Sequence, residues 1–151
     1  MKKLLLIFFF TLAFSGHSSA SMNKVEKIGL LVEYLSDRSC GVTRESLLIS
    51  TKYILSNSKI EIDDGYYDPY LYIAPVVMEG NTEDICTLAL NVSLKKSHFL
   101  KDGSYNKGYF VYYHNNTVVL KSGKNRFKSY VTEALEEEIK KFIVAWNEDN
   151  K

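Results

Sequence analysis

The first twenty residues constrain this chain more than any other segment, because they decide the compartment in which it folds. Two lysines follow the initiator methionine, an apolar stretch extends from Leu4 to Phe14, and small residues end at Ala20. A basic start, an apolar centre and small residues at the cut are the three parts of a secretory signal peptide. We therefore expect residues 1–20 to be removed and the mature chain to begin at about Ser21.

The leader is expected to leave no anchor in the membrane. Its apolar stretch is about eleven residues long, whereas a helix needs ~20 residues to cross a bilayer. The first cysteine, Cys40, lies well beyond the expected cut, so lipidation there is not predicted. The short Lys-Lys start is typical of bacterial exported proteins, and we place the mature chain in the periplasm or outside the cell.

The two cysteines are predicted to form a disulfide. Cys40 and Cys86 are the only cysteines of the chain, and an even number of cysteines in an exported protein normally pairs in the oxidising compartment. A metal pair or a nucleophilic cysteine is the alternative. Neither is favoured, because the spacing lacks a CxxC motif and no catalytic signature surrounds Cys40.

Composition and charge exclude two broad classes of protein. Hydrophobic residues make up 46% of the chain and charged residues 25%, which is the range of globular proteins and not of disordered ones. The chain has 19 basic and 18 acidic residues, and loss of Lys2 and Lys3 leaves 17 basic ones. Without an excess of positive charge, neither nucleic acid nor an anionic membrane surface is an expected partner.

Hydrophobic periodicity predicts two helices and several strands. The helices are Thr43–Asn57, with Thr43 as the N-cap, and Arg126–Trp146, whose apolar residues recur every three or four positions. The strand-like segments are Ile28–Leu35, Ile60–Ile62, Tyr70–Met78, Ile85–Lys95, Tyr109–Tyr113 and Thr117–Lys121. Alternation in the segment from Ile85 assigns one set of residues to the core: Cys86, Leu88, Leu90, Val92 and Leu94.

Two local features add expectations about the strands. Pro75 lacks a backbone N–H, so it predicts that the strand from Tyr70 to Met78 lies at an edge or contains a bulge. Asparagine tolerates positive φ, and the sequence His114-Asn115-Asn116 therefore predicts a tight hairpin between the last two strand-like segments.

The order of the predicted elements indicates a single α+β domain over residues 21–151. This order is strand, helix, several strands and helix. We expect a mainly antiparallel sheet of about five strands, with both helices packed on one face. Roughly 130 residues are enough for one core. The Cys40-Gly41 turn before a helix, the alternating middle strands and the closing helix through Phe142–Asn147 resemble small secreted bacterial α+β proteins, a resemblance that implies no function.

No motif predicts a catalytic residue, a metal site or a cofactor. The chain contains no GxSxG, GxxxxGK[ST], GxGxxG or HExxH sequence. The two histidines outside the leader, His98 and His114, are expected on the surface. An alternative is a small hydrolase or wall-modifying enzyme whose unrecognised site lies around one of them.

A contact surface is predicted at a tyrosine-rich turn. Tyrosine is large, stiff and amphipathic, and it is enriched where proteins bind partners. The predicted contact residues are Asp64, Tyr66, Tyr67, Asp68 and Tyr70. We therefore expect a non-enzymatic exported protein that binds another envelope or secreted protein, as an immunity, inhibitor or assembly accessory factor does. A module that binds glycans or cations through Asp63, Asp64 and Asp68 is an alternative, although these residues do not match the calcium loop of an EF-hand.

Overall fold

The computed structural model of the chain describes residues 22, 25–35, 40–63, 65, 68–80, 85–99 and 107–151. The predicted signal peptide lies outside these residues, as do Asp64, Tyr66, Tyr67 and the expected start at Ser21. Within them, no helix combines the length and the apolar character that a membrane crossing requires.

The described residues form one five-stranded mixed sheet and two helices. In chain order the elements are β1 (Lys27–Val32), α1 (Arg44–Ser56), β2 (Glu61–Asp63), β3 (Tyr70–Glu79), β4 (Ile85–Phe99), β5 (Lys107–Gly123) and α2 (Lys124–Asp149). The strand order is β2-β1-β3-β4-β5. β1 pairs parallel with both β2 and β3, whereas β3, β4 and β5 pair antiparallel. The prediction of a mainly antiparallel α+β fold is confirmed.

The core lies between the two helices and one face of the sheet. The predicted inward residues of β4 are all buried, and so is the apolar stripe of α2. This stripe consists of Phe127, Val131, Leu135, Ile139, Phe142 and Trp146. Full burial of one large apolar side chain stabilises a fold by about 1.5–3 kcal/mol, so these two rows are the main source of stability.

The start of α1 is held by a cap, a disulfide and an arginine. The Thr43 hydroxyl accepts from the Ser46 backbone N–H at 3.1 Å, and the Ser46 hydroxyl oxygen accepts from the Thr43 N–H at 3.2 Å. This reciprocal capping box confirms the predicted N-cap. The predicted disulfide between Cys40 and Cys86 is present and joins the preceding turn to β4. Arg44 Nε donates to the Val32 carbonyl at 2.8 Å, which fastens α1 to β1.

The predicted hairpin at His114–Asn116 is wrong, because β5 continues through it as a single strand. β4 extends from Ile85 to Phe99 and offers backbone partners to β5 along its whole length. Asn116 and Thr117 lie together opposite Asn91 alone and form a β-bulge, whereas His114 and Asn115 keep regular partners on β4.

A second bulge in β5 reverses the side on which its residues point. Lys95 pairs with Val111 and Leu94 pairs with Tyr113, which leaves Tyr112 as the extra residue. One inserted residue shifts a strand from one face of the sheet to the other. Val111 consequently shares a face with Lys95, while Tyr113 turns to the helices and packs edge-on against Phe142, with ring centroids 5.3 Å apart.

The expectation that Pro75 marks an edge strand is wrong, since β3 lies between β1 and β4. The Ile73 carbonyl accepts from the Glu33 N–H at 2.9 Å, so the backbone groups of Ile73 point to β1. Two residues later, those of Pro75 point the same way, but β1 has already ended at Val32. Proline therefore occupies a position where its missing N–H costs no ladder hydrogen bond.

One acidic side chain, Glu138 of α2, is buried where the helix faces β5. It is 2% exposed and accepts hydrogen bonds from the Asn115 amide and from Lys141 Nζ, the latter at 2.9 Å. Burial of a carboxylate without a partner costs free energy. Asn115 can donate to Glu138 because it pairs with Val92 on β4 and therefore points to the helices.

We predict that replacing both cysteines, as Cys40→Ala with Cys86→Ala, lowers the free energy of unfolding by about 4 kcal/mol, since the cross-link closes a long loop. The two residues are 46 positions apart. Urea denaturation of the oxidised protein and the double variant measures the difference. Identical midpoints would contradict the prediction.

We predict that Glu138→Ala lowers the free energy of unfolding by about 1–3 kcal/mol, because the Asn115 amide loses its buried acceptor. Glu137→Ala is the matched control. Glu137 is the exposed neighbour and also binds Lys141, at 2.8 Å, so its loss should matter far less. Thermal unfolding of both variants makes the comparison, and equal losses would show that the burial of Glu138 contributes nothing.

Candidate functional site

The face of the sheet opposite the helices is covered by no helix or strand of the described residues. We call it the open face. Side chains alternate along a strand, so β3 directs Leu71, Ile73 and Pro75 to the core and the residues between them outward. The outward residues are Tyr70, Tyr72, Ala74, Val76 and Met78. Two of these keep much of their surface in solvent, since Val76 is 53% exposed and Met78 is 56% exposed.

Tyr72 is the centre of an ordered group on the open face. Its hydroxyl donates to the Glu33 carboxylate, and Lys95 Nζ lies 3.6 Å from the centre of its ring. An ammonium over an aromatic face is attracted by the ring quadrupole. Tyr70 packs edge-on against the same ring at a centroid distance of 6.5 Å. Residues that follow β1 or lie on β3 and β4 thus hold one aromatic side chain from several directions.

The environment of Lys95 changes its proton affinity. Partial burial lowers the pKa of its ammonium group, and the negative charge of Glu33 opposes this effect by favouring the charged form. Lys27, also on the open face, shows the opposite behaviour. Hydrogen bonds to Asp63 and Glu61 raise the pKa of Lys27, with Nζ at 3.0 Å and 3.3 Å from the two carboxylates.

A row of polar residues crosses the open face beside this group. Tyr72 pairs with Ser93, and Ser93 pairs with His114 on the next strand. Ser93 is fully buried, and its hydroxyl oxygen has no hydrogen-bond partner among the described residues. Nδ1 of His114 lies 3.5 Å from the Asn91 amide nitrogen. Sheet register therefore places a hydroxyl opposite an imidazole without the hydrogen bond that a serine nucleophile makes to its base.

Two of the predicted contact residues lie within the described part of the chain. Asp68 accepts from the Ser97 backbone N–H with both carboxylate oxygens, at 2.9 Å and 3.1 Å, and so fastens the start of β3 to β4. Tyr70 is half-buried and contacts Tyr72. Participation of these two residues in a contact surface stays a prediction, together with that of Asp64, Tyr66 and Tyr67.

The alternative cation site involves residues of the same turn. Asp63 already binds Lys27, and its Oδ1 accepts from the Gly65 N–H at 2.7 Å. Lys27 and Gly65 together hold the pKa of the Asp63 carboxyl below its usual range. Within the ranges that the structure describes, no group of three His, Cys, Asp or Glu side chains is arranged to hold a metal ion.

Sequence reasoning missed the central residues of the open face. Alternation along β3 would have found Tyr72, Val76 and Met78 as outward residues. By contrast, no local pattern connects Glu33, Tyr72 and Lys95. Glu33 directly follows β1, Tyr72 lies on β3 and Lys95 on β4, and only the sheet order brings these segments together.

Comparison with known proteins gives little beyond this geometry. No protein-family model matches the chain, and no curated protein sequence matches it. Among solved structures, it is similar to the 2.35 Å crystal structure of a minor lipoprotein from Acinetobacter baumannii. The TM-score is 0.39 and the sequence identity 12%, over 83% of this chain and 95% of that one. At this level of similarity we draw no argument about function.

We predict that Lys95 titrates below the ordinary lysine value of 10.5 and Lys27 above it. The folded chain then releases the Lys95 proton at lower pH than the unfolded chain does, so the contribution of Lys95 to stability increases as pH rises from its folded pKa towards 10.5. Glu33→Gln should lower the pKa of Lys95 further and leave that of Lys27 in place. Side-chain NMR titration measures both residues, and an unchanged Lys95 in the variant would contradict the assigned role of Glu33.

Proposed function

We propose that this chain is an exported protein that acts by binding another protein, in the bacterial envelope or outside the cell, through its open face. Immunity proteins, inhibitors and assembly accessory factors also act by binding another protein. One observation carries the proposal: exposed Val76 and Met78 lie on the same face as the ordered group formed by Glu33, Tyr72 and Lys95.

The chemistry of the open face suits a protein partner. Tyrosine and methionine are enriched at protein interfaces, and a covered apolar surface contributes about 25 cal/mol per Å² removed from water. Val76 and Met78 are two residues apart on β3 and therefore point to the same side. They form an apolar area next to a polar one, as in an interface with an apolar centre and a polar rim.

The Tyr72 group is also prepared for binding before a partner arrives. Ordering a mobile side chain at an interface costs about 0.5–1.5 kcal/mol. Contacts with Glu33, Lys95 and Tyr70 already restrict the Tyr72 ring in the folded chain. A partner that binds this ring consequently loses little free energy to side-chain ordering.

Export is supported by the leader and by the disulfide. The leader carries the features of a signal peptide, and the bond between Cys40 and Cys86 requires an oxidising compartment to form and persist. Both cysteines are buried in the folded chain, which protects the bond from reductants once it has formed.

Site-specific photo-cross-linking in the native host tests the proposed function. A photoreactive amino acid is placed at Val76 or Met78, and in control proteins at Ile49 or Tyr53, which lie on α1 and are 60% and 73% exposed. We predict that mass spectrometry identifies the same protein at both open-face positions and not at the α1 positions. Cross-links that are equal at all four positions, or confined to α1, would contradict the proposal.

Point variants then measure the contribution of the surface. Met78→Lys and Val76→Lys should weaken capture of the identified partner at unchanged melting temperature, because both side chains are already exposed. Ile49→Lys is the matched control on the helical side of the molecule, and it should bind the partner as the unaltered chain does.

A further inference from the structure

The first described residues of the chain lie against the last turns of α2. Met22 is 3% exposed and belongs to the hydrophobic core, and its backbone N–H donates to the Asp149 carboxylate at 2.9 Å. Three residues later, the Val25 carbonyl accepts from Trp146 Nε1 at 2.8 Å. These contacts hold Met22 and Val25 at the C-terminal end of the helix.

The same end of α2 carries negative charge and lacks positive charge. Glu148 and Asp149 lie in its last turn, and that turn contains no basic residue. Lys151 follows the helix and is exposed. Within the described part of the chain, neither of the two acids forms an ion pair. The aligned peptide dipoles add about half a negative charge at the C-terminus of a helix, so a cation at this place would be stabilised.

Removal of the leader creates such a cation. In the uncut chain the Ser21 nitrogen is a neutral amide, and a cut after Ala20 converts it to an α-ammonium group. One residue of extended chain spans at most about 3.6 Å. Because the Met22 nitrogen lies 2.9 Å from Asp149 Oδ2, covalent geometry keeps the ammonium nitrogen within about 6.5 Å of that oxygen. This distance is shorter than the screening length of about 8 Å at physiological ionic strength, so the two charges attract each other.

We infer that the C-terminal end of α2 is a binding site for the free α-amino group of the mature chain, with Asp149 as the carboxylate that binds it. The occupant is the Ser21 ammonium that leader removal produces, so cleavage supplies a contact that the precursor lacks. The inference rests on the export that belongs to the proposed function. It adds to that function a coupling between removal of the leader and stability of the fold.

The buried side chain of Met22 fixes which residue occupies the site. If the segment slid by one position, this side chain would leave the core and another backbone N–H would face Asp149. The free energy gained by burying a large apolar side chain opposes that shift. A mature chain that begins at Ser21 therefore has its first nitrogen next to the carboxylate, whereas a chain with further residues in front carries its charge farther away.

Blocking the α-amino group tests the inference on the full mature, oxidised protein. One form begins at Ser21 with a free amine, and the other carries an acetyl group on that amine alone. Acetylation removes the charge and restores a neutral amide, as in the uncut chain. Urea denaturation is measured at low salt and about pH 6, where a free α-amine is protonated. The free amine should increase the folding equilibrium constant about two- to fivefold, which is the effect of one charge at a helix end.

Two variants of α2 assign this effect to one carboxylate. Asp149→Asn keeps an oxygen that can accept from the Met22 N–H but removes the charge, so acetylation should then leave stability almost unchanged. Glu133→Gln is the matched control, because it removes an exposed negative charge of the same helix about 24 Å away along the axis. Acetylation should keep its full effect in this control. Salt at about 1 M should reduce the effect in the unaltered chain, since the screening length falls to about 3 Å.

The intact mass of the protein from the native host tests the position of the cut. It should correspond to a chain that begins at Ser21 or Met22, since either start puts the ammonium beside Asp149. Any other first residue would overturn the inference, and an uncut leader would also contradict the proposed export.

Three results of the denaturation experiment would overturn the inference by themselves. They are an unchanged midpoint on acetylation, an effect of acetylation that survives Asp149→Asn, and an effect that Glu133→Gln removes. None of these measurements involves a partner or the open-face residues Val76 and Met78. Failure here is therefore distinguishable from failure of the proposed function, which is decided by the cross-links at those two positions.

Discussion

Packing of α2 against the inward side of β4 is the interaction on which the rest of the structure depends. A twenty-six-residue helix contributes an apolar stripe, and a fifteen-residue strand contributes an alternating row, and the two bury each other. α1 covers the same side of the sheet near β1 and β2. With both helices on one side, the outward residues of β3 and β4 remain without a covering element among the described residues, and the open face is the direct result.

The same packing explains why polar groups accumulate where α2 meets β5. The helix lies over the last strand, so its far side approaches solvent and can carry charges. Glu138 is buried there only because Asn115 and Lys141 satisfy its carboxylate. The bulge at Tyr112 turns Tyr113 into the core against Phe142. The bulge at Tyr112 therefore serves side-chain packing.

A structural feature could be predicted from the sequence where the contacts that determine it are between residues close together in the chain. The cap at Thr43, the inward row from Cys86 to Leu94 and the stripe of α2 follow from periodicity and short-range hydrogen bonding, and the structure confirms them. The hairpin at His114 was wrong because asparagine suits a bulge as well as a turn, and only the length of β4 decides between them. The prediction from Pro75 was wrong for a similar reason. β3 lies inside the sheet, but β1 ends before it reaches Pro75, so the side of β3 that faces β1 is unpaired at that residue.

By itself, the sequence determined the α+β class, the two helices and their buried faces, and the pairing of its two cysteines, because each follows from residue type, spacing or count. Tertiary structure alone decided the strand order, and with it the meeting of Glu33, Tyr72 and Lys95 and the position of β5 beneath α2. The reason is physical: register and strand order are set by contacts between residues far apart in the chain, and no local pattern records which strands become neighbours.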